Sequence, residues 1–124
     1  MNKKAFYKKW LNSFALDVAY SDLREYVIPT TAYIWHIFSW ELIDEHKYLK
    51  GDAARTAYDK IDKTDALYID WFEDDETKEI TCELSSAKAL DKFIEVYVVA
   101  KDFSWTYIKT HEGNHCGPYF RRLK

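Results

Sequence analysis

His111, Glu112, His115 and Cys116 fall within one six-residue stretch, separated by Gly113 and Asn114 and followed by Gly117-Pro118. Imidazole, carboxylate and thiol are the side chains that bind metals, move protons and attack electrophiles. If Glu112-Gly113-Asn114 is a hairpin turn, His111 and His115 face each other across it as a metal pair, with Cys116 and Glu112 as further ligands. The spacing lacks the Cys-x-x-Cys or His-Glu-x-x-His pairing that marks zinc sites, and Gly113 and Gly117-Pro118 are also what a tight turn uses. No bound metal and no cofactor are expected. As a nucleophile, Cys116 would need a base aimed at its sulfur and surroundings that lower its pKa. His115 points to the opposite face of an extended chain, which leaves His111 or His36, brought in by the fold; a structural thiol is the simpler reading. His36 itself sits in an apolar run and reads as a core residue. Should that run lie beside the segment ending in Thr110-His111-Glu112, then His36, His111 and Glu112 would gather at one edge as a proton relay or ligand set.

A second concentration of chemistry is acidic. Between Asp70 and Glu83, seven acids (Asp70, Glu73, Asp74, Asp75, Glu76, Glu79, Glu83) accompany one lysine, Lys78. Such a run is either a solvated turn that keeps edge strands from pairing or a surface that steers a basic partner. Asp74, Asp75 and Glu76 are the contact residues in the second reading. The spacing does not fit a calcium loop, which needs alternating oxygen ligands and a central glycine. There is no glycine-rich phosphate loop and no Gly-x-Ser-x-Gly elbow, which argues against the usual nucleotide chemistry and serine hydrolysis.

These side chains need a scaffold, and 124 residues suffice for one domain with its own core. The hydrophobic fraction of 48% is that of a globular chain, and 5 Trp, 10 Tyr and 7 Phe make an aromatic interior. A net charge of -3 argues against nucleic acid as the main partner. No apolar run approaches a membrane span, and the lysines at the start precede no secretory apolar segment. Cys82 and Cys116 stand in unrelated contexts, so a reduced, cytoplasmic setting is expected.

Phe6, Trp10, Phe14 and Val18 recur every four residues and predict an amphipathic helix, with Lys3, Lys4, Lys8 and Lys9 on its other face. Ser21 and Asp22 are placed to cap a shorter helix ending before Pro29. The run 32–40 is apolar on both alternating faces and reads as a central strand, although a buried helix turn has the same pattern. Asp52 opens a helix facing inward through Ala53, Ala54, Ala57, Tyr58 and Ile61. Leu67–Glu73 and Lys78–Leu84 read as strands joined by the acidic turn, with Ile80, Cys82 and Leu84 on a buried face. Ser85 or Ser86 caps a further helix, and Glu95–Lys101 and Ser104–Thr110 form a closing hairpin around Asp102-Phe103. The expectation is one α+β domain over 1–124: a mostly antiparallel sheet, an N-terminal amphipathic helix and two further helices, in a single layer on the sheet.

Val96-Tyr97-Val98-Val99, Lys101-Asp102-Phe103, Trp105-Thr106-Tyr107, Thr110-His111-Glu112 and Cys116-Gly117-Pro118-Tyr119-Phe120 resemble the closing signature of a small uncharacterised bacterial family, a domain of unknown function. Ile34-Trp35-His36-Ile37-Phe38-Ser39-Trp40 and Leu49-Lys50-Gly51-Asp52-Ala53 are similar to its middle region. The resemblance implies no activity. A tryptophan-bearing strand running into a histidine-bearing end is also similar to small bacterial immunity-type proteins, a likeness of fold alone. The reading is therefore a protein that works by binding another protein, with an immunity-type or accessory role and a basic partner. The alternative is a small enzyme or ligand-binding protein built on the His/Glu/Cys cluster.

Overall fold

The computed structural model describes residues 1–27, 33–113 and 115–123. Val96–Ala100 contains no charged side chain and is apolar apart from the Tyr97 hydroxyl, and a strand of that kind must be covered on both faces. It forms β4, buried at every position, near the middle of an antiparallel sheet ordered β1-β6-β5-β4-β2-β3. The other strands are β1 (Leu49–Lys50), β2 (Ala66–Asp70), β3 (Lys78–Glu79), β5 (Trp105–Lys109) and β6 (Tyr119–Arg122). Register places Val98 opposite Tyr107 and Tyr107 opposite Phe120.

The two-residue period of these strands sends alternate side chains into two cores. On one face Ile69, Tyr97, Val99, Ile108 and Tyr119 meet Phe6, Trp10 and Phe14 of α1 (Lys3–Phe14) and Ile37 and Phe38 of α3 (His36–Ser39). On the other, Val96, Val98, Trp105, Tyr107 and Phe120 meet Ala54 and Tyr58 of α4 (Asp52–Lys60) and Ala87 and Leu90 of α5 (Ala87–Leu90). The fold is α+β, as expected, but helices cover both faces and not one. The central strands are apolar on both sides, and each side needs its own cover.

Several local expectations change. Over the run 32–40, whose Ala32 lies outside the described residues, Tyr33-Ile34-Trp35 lead into the helical turn α3 in place of a strand. A buried helix turn and a doubly buried strand share the same all-apolar pattern, and here the helix forms. β3 stops at Glu79; Cys82–Leu84 is a 3-10 turn, with Cys82 exposed and Leu84 buried. Tyr20–Asp22 is a single helical turn, α2, capped by no side chain and continued by a wider π turn over Leu23–Val27; Pro29 lies outside the described residues. Ser86 does cap α5, its hydroxyl accepting the Ala89 N–H at 3.1 Å. The short strands β1 and β6 were not anticipated.

The end of α3 is unusual. Leu42 N–H bonds Ile37 C=O and Glu41 N–H bonds Phe38 C=O, each at 3.0 Å. This is a Schellman closure, which favours glycine at the left-handed position. Glu41 occupies it with φ 55°. Glu41→Gly is expected to raise stability by about 1 kcal/mol, read as a higher urea midpoint at unchanged slope; a lower midpoint would show that the Glu41 side chain contributes more than its backbone costs.

Candidate functional site

Glu95 immediately precedes β4 and is 0% exposed. The pairing of Val96 with Lys109 brings the chain after β5 alongside it. Its Oε1 accepts from Trp35 Nε1 at 3.0 Å and from His111 N–H at 3.1 Å, and lies 2.8 Å from His111 Nδ1. Its Oε2 accepts the Tyr97 hydroxyl at 2.6 Å. A buried carboxylate is costly unless surrounded by donors, and this one has them from Tyr97 two residues on and from the more distant Trp35 and His111. Burial first, and the adjacent Glu95 charge second, push the Tyr97 phenol well above its ordinary pKa, so it stays a donor. With Nδ1 against the carboxylate, Nε2 is the His111 nitrogen left for a ligand or a proton.

Around this clasp the aromatic rings are continuous. Tyr33 lies 4.9 Å from His111 and 5.6 Å from His36, centre to centre, with Trp35 5.6 Å and 4.7 Å from the same two imidazoles. His36 reaches Trp40 at 6.2 Å, and His111 reaches Phe72 at 6.1 Å. The strip therefore runs Phe72, His111, Tyr33, His36, Trp40, and its ends are open: Phe72 is 46% and Trp40 57% exposed.

The expected gathering of His36 with His111 is present through Tyr33 and Trp35, but Glu95 stands where Glu112 was placed. Glu112 is instead near Cys116: burial, then this carboxylate, raises the thiol pKa, opposite to what a nucleophile requires. His115 is exposed beside Cys116, and Asn114 lies outside the described residues. Among the described residues, no three His, Cys, Asp or Glu side chains converge as a metal site would require.

The acidic turn is joined to the chain's N-terminus. Lys3 N–H bonds Asp75 C=O and Thr77 N–H bonds Met1 C=O, both at 2.8 Å, and Asn2 bridges Glu76. The Lys3 ammonium bonds the Trp71 carbonyl and lies 4.4 Å over the Trp71 ring. Asp74 turns inward, bonded to Lys78 at 3.0 Å and accepting the Asp70 N–H at 3.1 Å. Burial, and then Asp74 and Glu73, raise the Asp70 carboxyl pKa. Asp75 and Glu76 are exposed. Of the three binding candidates, Asp74 thus has structural work of its own.

A groove of about 500 Å³ lies beside the 115–117 loop, between the end of α3 and β1. Thr110 hydroxyl bonds the Cys116 carbonyl and holds this loop. Gly117, at φ 106°, is pressed so closely that a Cβ there would come within 3.2 Å of the Tyr119 ring.

The sequence reading missed Glu95, Tyr97, Tyr33, Phe72 and Trp40 as site residues. The available signal was Glu95 itself, an acid heading a strand with no charged residue and buried at every position. No curated protein and no solved structure matches the chain. Residues 2–120 match the model of a domain of unknown function (DUF4275), and the chain belongs to that family, with the Glu95 clasp, the ring strip and the groove all inside the matched span.

Proposed function

We propose that this protein acts by binding another protein through the strip Phe72, His111, Tyr33, His36 and Trp40, in an immunity-type or accessory role in a bacterial cytoplasm. The observation that carries the reading is a continuous run of rings between two exposed aromatic ends. Aromatic side chains locked against one another lose little freedom on binding, and Trp and Tyr dominate interface hot spots. Phe72 is followed directly by Glu73, Asp74, Asp75 and Glu76, which supports a partner with basic residues beside its apolar anchor. No helix among the described residues is long and apolar enough to cross a membrane.

The test uses a partner recovered from the native cell and then purified. Trp40→Ala with Phe72→Ala is expected to weaken it at least about thirtyfold, the scale of one hot spot, with the thermal midpoint nearly unchanged because both rings are exposed at the strip's ends. Asp75→Asn with Glu76→Gln is expected to slow association at low salt, an effect that fades as screening shortens to about 8–10 Å. Unchanged affinity in the double aromatic variant would sink the reading; an unchanged on-rate in the acid variant would reduce the turn to a solvated one.

A second reading, a small enzyme or ligand-binding protein, rests on the 2.8 Å contact of His111 Nδ1 with Glu95. That pairing fixes the imidazole and frees Nε2 as a base or ligand. It replaces Glu112 by Glu95 in the expected cluster and leaves Cys116 outside it.

A further inference from the structure

The groove beside the 115–117 loop contains recognition groups that the fold does not use. Glu41 and Lys50 both line it, opposite in charge, and neither forms an ion pair or a side-chain hydrogen bond among the described residues. Tyr119 lines it too. It is 4% exposed, its ring packs 5.0 Å from Phe38 and 5.9 Å from Tyr48, and its hydroxyl has no hydrogen-bond partner among the described residues, yet is not sealed from solvent. Burial raises the Tyr119 pKa, so the hydroxyl is available as a donor. Glu41 is held at φ 55°, in a helix closure where glycine is the favoured residue. A backbone cost accepted for a carboxylate that bonds nothing among the described residues is an expected mark of a functional position. Burial, and then the charges of Glu41 and Glu45, raise the Tyr48 phenol pKa.

We propose that this groove binds a small zwitterion of the amino-acid class. One unpaired charge of each sign suits a molecule that carries both. Glu41 receives the ammonium, Lys50 the carboxylate, and the Tyr119 hydroxyl donates to that carboxylate. A planar side chain lies against the floor of Phe38, Tyr48 and Tyr119, and the volume of about 500 Å³ admits a molecule of this size. The groove shares no residue with the ring strip, so either assignment can fail without the other.

The experiment is an NMR titration of the whole protein with three probes: L-phenylalanine, phenethylamine, which lacks the carboxylate, and 3-phenylpropionate, which lacks the ammonium. Phenylalanine is expected to give saturable shifts at Tyr48, Lys50 and Tyr119. Each half-molecule should bind about two- to fivefold more weakly, the worth of one exposed ion pair. Glu41→Gly should bring phenylalanine down to the affinity of 3-phenylpropionate while the protein melts no lower than wild type. Lys50→Met should bring it down to phenethylamine, and Tyr119→Phe should weaken it several-fold. Absence of saturation by phenylalanine up to about 20 mM, an affinity too weak to count as a site, would overturn the proposal. So would equal binding of the three probes, or full binding by Glu41→Gly.

Discussion

Replacing Glu95 with alanine is expected to destabilise the protein by about 3–5 kcal/mol, the loss seen when one partner of a buried charged network is removed. Three donors lose their acceptor together: Trp35 Nε1, the Tyr97 hydroxyl and the His111 N–H. Glu95 is 0% exposed and the Trp35 and Tyr97 donors are buried with it, so for these two the cost of an unpaired polar group adds to that of the vacated space, whereas the His111 N–H is only partly buried. Glu95→Gln separates the charge from the shape. It keeps the volume and one carbonyl acceptor, but its amide presents N–H where His111 or Tyr97 presents a donor, and about 1–3 kcal/mol should go. Urea unfolding reads both values. A loss below about 1 kcal/mol in Glu95→Ala would mean that the clasp is dispensable and that its donors find other partners. The consequence for function follows from position. The clasp holds His111 in the ring strip and Trp35 against it, so Glu95→Gln should weaken partner binding at temperatures where it is still folded.

How far the sequence could be read depends on which interactions form each element. Periodicity places α1 and α4 because each buries a stripe, Phe6-Trp10-Phe14 and Ala54-Tyr58, against the sheet. The β4–β5 hairpin is equally legible from its apolar residues and the Asp102-Phe103 corner, where Phe103 adopts φ 56°. α3 is not, because a run that is apolar on every side has no period to separate helix from strand. β1 and β6 are two and four residues long, and pairing between distant segments decides them. The site divides the same way. His36 and His111 stand out by residue type alone, but the carboxylate on His111 is Glu95 and not the neighbouring Glu112. That substitution is fixed by strand register, placing the chain after β5 opposite the start of β4, and local sequence does not encode it.

Trp35→Ala and Trp105→Ala should each cost about 3–5 kcal/mol, as large aromatic truncations in packed cores do. The two rings are 1% and 4% exposed and belong to different cores. Trp35 packs against Tyr33 and bonds Glu95, whereas Trp105 stacks on Phe120 at 5.9 Å and meets Tyr58 edge-on at 6.1 Å. With no ring or hydrogen-bond partner in common among the described residues, their losses should add within about 0.5 kcal/mol. The sum, about 6–10 kcal/mol, lies within the total stability of an ordinary domain, about 5–15 kcal/mol, so the double variant should lose most of its stability. The cores are nonetheless joined by β4, whose Tyr97 and Val99 enter one while Val96 and Val98 enter the other. Neither core can lose its strand without exposing the other. Each single variant should therefore melt in one transition, with the same urea midpoint by tryptophan fluorescence and by far-ultraviolet circular dichroism. Separated midpoints in Trp105→Ala would show that the α1–α3 face stands without the α4–α5 face, and that the shared strand does not couple them.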